Sequence, residues 1–462
     1  MVYKFAHMAD VHLGAFRDPL LRELNFRAFS DAIDICIKER VDFIIIGGDL
    51  FDSNVPDTSI AERAARKLRE AKEHGIRIYV IYGSHDYSPT KASMIDVLHG
   101  AGLFTNVSKI RKEGEKSYLE FAVDEKTGAK ITGISARKMG IESKVYETLV
   151  REPLEKEDGF KIFVFHSAIE GALPKELSFL DAVPLSWLPK GFAYYAGGHV
   201  HFRIVKEVNT LGFFGDNRAE GSLLAFPGAL FGYDYRDLEA TARGERRGFF
   251  IAEFDGSKIT SHKFVELKPA EILLLEYDAT GKASFRVNEE LFEMAERANV
   301  NNKIVLFKVY GELASGKVSE IEFAKLRDKL LEKRAMSVYI NKNSLRGREV
   351  ETKIQRHYDT REEIERAVLK EMLDKLKLEN ERLAGSRGVE LALRLMNVLK
   401  QENAGETKAE YEERIVKEAL RVLGLGREGE ETATEASTKE ASPVAREETP
   451  FGQISLRKFW GR

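Results

Sequence analysis

The chain is expected to be an α/β protein of buried sheets flanked by helices, with a smaller α+β unit and a charged helical region after it. Two observations carry that expectation. Through the first 205 or so residues, short apolar runs rich in β-branched residues alternate with helix-length amphipathic segments. From about residue 355 those runs give way to charged sequence of helical period. At roughly 150 residues per domain, a length of 462 residues calls for several units.

The elements follow in order. Phe5 to Ala9 opens as a strand. Leu24, Ala28, Ala32 and Cys36 then recur at helical spacing beside Phe29, Ile33 and Ile37. Val41 to Ile46 is too short for a typical helix and reads as a buried strand, as do Ile76 to Tyr82, Phe160 to Phe165 and Phe192 to Ala196. Residues 1–248 form the first domain on this reading. The runs Phe249 to Phe254, Ile272 to Tyr277 and Lys303 to Val309 are assigned to the second, 249–345.

In 355–423, Thr360 and Glu363 make a capping box ahead of the stripe Ile364, Val368, Met372 and Leu376. Gly385 and Gly388 interrupt the pattern, and Val389, Leu393 and Met396 begin a second helix. A further capping box, Thr407 to Glu410, precedes Ile415, Ala419 and Val422. The stripes suit a docking platform, or equally a bundle that buries them internally. Residues 424–450 contain no aromatic residue and read as a disordered linker to a terminal peptide, 451–462.

Composition narrows the function classes. With 43% hydrophobic and 32% charged residues, the chain is neither collagen-like nor wholly disordered. It contains no run of about eighteen apolar residues, so no membrane span is expected. The N-terminus enters a strand without a signal-peptide pattern. The single cysteine, Cys36, excludes an intramolecular disulfide and a multi-thiolate metal site, and a cytoplasmic location is expected. A net charge of −3 requires any DNA binding to come from a local patch. Only three glutamines stand beside abundant Lys, Arg and Glu, a bias that fits a thermophile.

Five strand-like runs end at once in Asp or His within a short polar or glycine-containing turn. They are Asp10-Val11-His12, Gly47-Gly48-Asp49, Gly83-Ser84-His85-Asp86, His166, and Gly197-Gly198-His199-Val200-His201. In an open α/β sheet the ligand crevice lies at the carboxyl ends of the strands, so these segments converge on one edge. Partners two apart, as in Asp10/His12 and His199/His201, turn toward the same side of an extended segment. Imidazole and carboxylate donors without thiolate suit Mn, Fe, Zn or a similar divalent ion. Six such donors suggest two ions sharing a carboxylate, able to activate water and clamp a phosphate ester. His7, His74, His99, His262 and His357 lack this context and read as ordinary residues.

This motif order resembles the calcineurin-like metallophosphoesterases. Within them the chain is similar to the Mre-eleven/SbcD-type DNA double-strand-break repair nucleases. The strings Phe5-Ala6-His7-Met8-Ala9-Asp10-Val11-His12-Leu13-Gly14, Gly48-Asp49-Leu50-Phe51 and Tyr194 to His201 carry the likeness, which covers about residues 1–320. It implies a metallophosphoesterase sandwich, a DNA-capping domain entered at Phe264-Val265-Glu266-Leu267, and two Mn2+ per subunit. By that resemblance Asp10, His12, Asp49 and His201 hold the first ion. Asp49, Ser84, His166 and His199 hold the second, with Asp49 bridging. His85 stays off the metals and acts on the scissile phosphate or leaving oxygen.

The resemblance further implies a homodimer with 3′-to-5′ exonuclease and single-strand endonuclease activity, and a Rad-fifty SMC-like ATPase bound through 355–423. Two positions depart from the family pattern. Ser84 stands where the family has Asn, a shorter and poorer neutral ligand. Asp52 stands where some relatives have His, and an acid near phosphate is unfavourable. Arg203, Lys206, Arg236, Arg243, Arg246 and Arg247 follow the last ligand pair and are either phosphate contacts or exposed solubilising charge.

At the C-terminus, Gln453, Leu456, Phe459 and Trp460 resemble a PIP box, the peptide that docks on the sliding clamp PCNA. One helical turn would put Leu456, Phe459 and Trp460 on one face, with Gln453 adding a directional hydrogen bond. The expected protein is a manganese-dependent, nucleoid-associated DNA nuclease of a thermophilic archaeon, tethered to the clamp. The alternatives are a catalytically weak scaffold between ATPase and clamp, or a phosphoesterase acting on small substrates.

Overall fold

The computed structural model describes residues 2–88, 92–137, 142–174, 177, 180–211, 221–347, 361–376, 380, 383–400 and 408–423. The expected linker and the clamp-peptide residues Gln453, Leu456, Phe459 and Trp460 lie outside them. Two compact units divide the chain, residues 1–350 and 351–462.

The first unit is built on two six-stranded sheets. In the first, the strands run in the order Ile259–Glu266, Gly248–Phe254, Tyr3–Met8, Phe43–Ile46, Arg77–Val80, Thr105–Asn106. The last four are parallel. In the second, Lys161–His166, Tyr194–Gly198 and Leu223–Phe226 lie parallel at the centre.

Side chains of each strand alternate between two cores, as the period of two requires. Phe43 and Ile45 point into the layer between the sheets, with Phe5, Ile162, Val164, Tyr194 and Ala196. Ile44 and Ile46 point outward to Leu24, Ala28, Phe29, Ala32 and Ile33 of the helix Pro19–Glu39. Strands buried on both faces explain why their sequence is uniformly apolar. Aromatic contacts lock the two sheets together: Phe160 stacks on Phe254 at 4.0 Å and Phe5 meets Tyr194 edge-on at 5.0 Å.

Two expectations about element boundaries change. The segment from residue 249 was expected to open the second domain, but Gly248–Phe254 pairs antiparallel with Tyr3–Met8, and Ile259–Glu266 pairs with it in turn. The first sheet therefore extends to Glu266. A smaller α+β layer follows it, with parallel strands Glu271–Asp278, Lys303–Glu312 and Ser337–Asn341 covered by helices Ser284–Arg297 and Phe323–Glu332. Its middle strand, Lys303–Glu312, reaches the first core through Ile304 and Leu306.

In the second unit the described helices are Arg361–Leu376, Gly385–Lys400 and Lys408–Val422. The middle helix includes Gly388, read above as a break. A Cβ there would stand 2.2 Å from the Leu383 carbonyl oxygen, so the glycine allows a close approach instead of ending the helix. No described helix is long and apolar enough to cross a membrane.

Candidate metal centre

The carboxyl ends of both parallel sets meet at one edge. The Gly47 carbonyl, just after Phe43–Ile46 in the first sheet, accepts from His166 Nδ1 at the end of Lys161–His166 in the second (2.8 Å). Asp10 and His12 are held against the next turn by their backbone N–H groups, which donate to Gly48 O and Asp49 O at 3.1 and 2.9 Å. The Asp49 carboxylate accepts from His85 N at 2.8 Å, and Asp10 Oδ1 accepts from His199 N at 2.9 Å. Asp86 ties the Asp49 and His85 turns together by accepting from the N–H groups of Leu50, Phe51 and Gly83.

Asp10, His12, Asp49 and His199 all adopt positive φ, between 48° and 80°. Left-handed backbone is sparsely populated by non-glycine residues, and its concentration at four candidate ligands marks a site where geometry is imposed at a cost. Gly83 shows the crowding directly: a Cβ there would lie 2.0 Å from Asp49 Oδ1 and 2.3 Å from the Asp49 nitrogen.

Among the described residues, three donor groups converge: Asp10/His12/His201, Asp10/Asp49/His166 and His12/Asp52/His85. Asp49 Oδ2 lies 3.1 Å from His166 Nε2 and 3.7 Å from His12 Nε2, between the first two groups. His12 Nε2 faces His201 Nε2 at 3.2 Å. Two imidazole lone pairs cannot share that gap without a proton or a cation between them.

Buried Asp10 Oδ2 and His12 Nδ1 have no hydrogen-bond partner, although such atoms are ordinarily satisfied, and His166 Nε2 meets only the carboxylate edge of the cluster. The donor set therefore fits a divalent cation. Burial alone would raise the Asp49 carboxyl, but His166, His12 and His85 hold it far below the usual carboxylate range. Burial would lower His166, yet Asp49 and then Asp10 push it up to about 10.

His199 and Ser84 are less engaged. His199 is exposed at the rim with its ring 5.4 Å from that of His166, and Ser84 Oγ approaches Asp49 Oδ2 only to 3.5 Å. His85 stands beside the cluster, ring to ring with His12 at 4.7 Å, and its Nδ1 lies 2.9 Å from the Asp52 carbonyl. The Asp52 carboxylate, expected to repel phosphate, is 3.4 Å from Nδ1 of both His12 and His85. It therefore sits behind the two imidazoles, where its charge acts first on them.

Sequence reasoning missed Asp237 and Tyr233, and the structure gives Arg247 a different place from the one expected. Asp237 accepts from His201 Nδ1 at 2.8 Å, which turns Nε2 toward the cluster, and from Tyr233 N at 3.1 Å. Burial opposes ionisation of Asp237, but His201 and Arg247 hold its carboxyl down at about 2. Burial also pulls the Arg247 guanidinium below its usual range, but the group stays protonated, so the pair is ionic. Arg247 is 2% exposed and donates to the carbonyls of His201 and Asp237, which removes it from the candidate phosphate contacts. Arg243 and Arg246 are likewise paired, with Glu239, Glu276 and Glu266. Tyr233 lies parallel to the His12 ring at 4.8 Å.

The calcineurin-like phosphoesterase family model matches residues 3–203. The chain is 30% identical over 303 residues to the DNA double-strand break repair protein Mre11 of Sulfurisphaera tokodaii, covering 64% of this chain and 70% of that one. It is 27% identical to the Saccharolobus solfataricus protein of that name over 65% of this chain and 73% of that one. Against the Methanopyrus kandleri protein, identity is 28% and the shared region spans 57% of each chain. The chain thus spans between somewhat over half and about three quarters of these relatives. With two parallel sheet edges delivering an Asp/His cluster in the matched region, the chain belongs to the Mre11 family of calcineurin-like phosphoesterases.

Proposed function

We propose that the protein is a manganese-dependent DNA nuclease, acting as a 3′-to-5′ exonuclease on duplex ends and as a single-strand endonuclease. The observation that carries this reading is the facing pair of His12 and His201 nitrogens, 3.2 Å apart beside unpartnered Asp10 Oδ2. Asp10, His12, Asp49 and His201 would hold one ion, and Asp49, Ser84, His166 and His199 a second. Bound ions would supply an activated water and neutralise charge on the phosphodiester.

The protein's own groups orient and protonate. Asp237 and Gly47 O fix the outward nitrogens of His201 and His166, so that each presents Nε2. His85, oriented by its Nδ1 contact with Asp52 O, delivers a proton to the leaving oxygen. The ATPase partner would bind through 355–423 and the clamp through 451–462, in a homodimer.

Metal stoichiometry and cleavage of a DNA hairpin with added Mn2+ test the reading. Cleavage is expected to require the ion. In His85→Ala it is expected to fall by about 100-fold or more, with metal uptake retained. Metal-free cleavage, or full activity in that variant, would refute it.

A further inference from the structure

Tyr233 is an aromatic residue that no core explains. Its ring is parallel to His12 (4.8 Å, 24°) and edge-on to His201 (5.1 Å, 81°) and His85 (5.8 Å, 74°). It is half-buried and absent from all four hydrophobic cores of the described residues. It is nonetheless held firmly. Its N–H donates to Asp237 Oδ2 at 3.1 Å, and its hydroxyl accepts from Arg236 at 3.2 Å. Arg236 is steadied in turn by Asp234 at 2.8 Å, with its side chain 82% exposed. A fixed apolar ring thus stands at the mouth of a polar, charged cluster.

We propose that Tyr233 is the stacking platform for the nucleotide base next to the scissile phosphate, with Arg236 beside it facing the neighbouring phosphate. The inference rests on the nuclease reading and deepens it. The ring contacts the three imidazoles proposed to frame the phosphate, so a base of the same nucleotide would meet it. Every base offers a π-face, so such a platform binds DNA without selecting sequence. Arg236 retains donors beyond those spent on Asp234 and Tyr233 and can meet a phosphate oxygen. A phosphate ester without a base would have no use for the ring.

The test uses the full chain loaded with manganese. The probe is a single-stranded oligonucleotide carrying 2-aminopurine beside a cleavage-resistant phosphorothioate linkage. Wild-type protein is expected to quench the probe. Tyr233→Leu should lose the quenching and bind about tenfold more weakly. Tyr233→Phe and Tyr233→Trp, which keep a ring, should retain both. If the Leu variant quenches and binds like wild type, or if neither ring-bearing variant does, the platform is refuted. Wild-type protein that cleaves DNA without quenching the probe overturns the platform alone. Wild-type protein that neither binds nor cleaves DNA overturns the nuclease reading as well.

Discussion

Replacing Asp237 probes how far the metal centre depends on a residue that touches no candidate ion position. Its carboxylate accepts from His201 Nδ1 (2.8 Å) and Tyr233 N (3.1 Å), and Arg247 approaches it at 3.5 Å. In Asp237→Asn an amide oxygen in the Oδ2 place can still accept from His201 and Tyr233, but the new NH2, in the Oδ1 place, faces the Arg247 guanidinium. The charge-assisted part of a hydrogen bond worth about 1.5–3 kcal/mol is then lost. Outer partners of ligating histidines govern affinity by about 10–100-fold, and the conserved shape puts this variant near tenfold, or about 1.4 kcal/mol. Asp237→Ala removes both acceptors and leaves Arg247, 2% exposed, without its ionic partner. That change is expected to destabilise the fold by about 3–5 kcal/mol. Calorimetric titration with Mn2+ and urea unfolding of the metal-free protein separate the two effects. An Asn variant that binds the ion as tightly as wild type, with an Ala variant unfolding at the wild-type midpoint, would refute the outer-partner role.

Gly83→Ala should cost metal content and stability together, because its Cβ would sit 2.3 Å from the Asp49 backbone nitrogen. A loss of about 1–3 kcal/mol is expected, read by thermal unfolding and elemental analysis, and a stable, metal-replete variant would contradict the packing. Ser84→Asn extends a carbonyl into the gap that Ser84 Oγ leaves at 3.5 Å from Asp49 Oδ2. The second equivalent of Mn2+ should then bind about tenfold more tightly; unchanged stoichiometry and affinity would mean that residue 84 is no ligand. Deleting residues 451–462 should abolish binding to PCNA on a sensor surface while cleavage of a hairpin proceeds at the wild-type rate. Retained clamp binding would rule out the peptide.

Most of the candidate centre was legible because its marks are local. Asp10, His12, Asp49, His85, His166 and His201 each follow a buried strand, and a parallel sheet delivers strand ends to a common edge. The apolar runs were legible for the same reason, since strands such as Phe43–Ile46 are buried on both faces. What remained hidden depends on partners remote in the chain. Nothing near residue 237 announces that it will bond His201, 36 positions earlier. Nor do Tyr233 and Arg247 carry any local sign of the metal edge. The strand Gly248–Phe254 has the same apolar pattern whether it opens a second domain or pairs with Tyr3–Met8, because periodicity records how many faces are buried and not which strand lies alongside. Residue types and their order thus determined the chemistry available to the protein. Tertiary packing decided which side chains orient the ligands, which arginines are buried or ion-paired, and that an aromatic ring stands against the imidazoles.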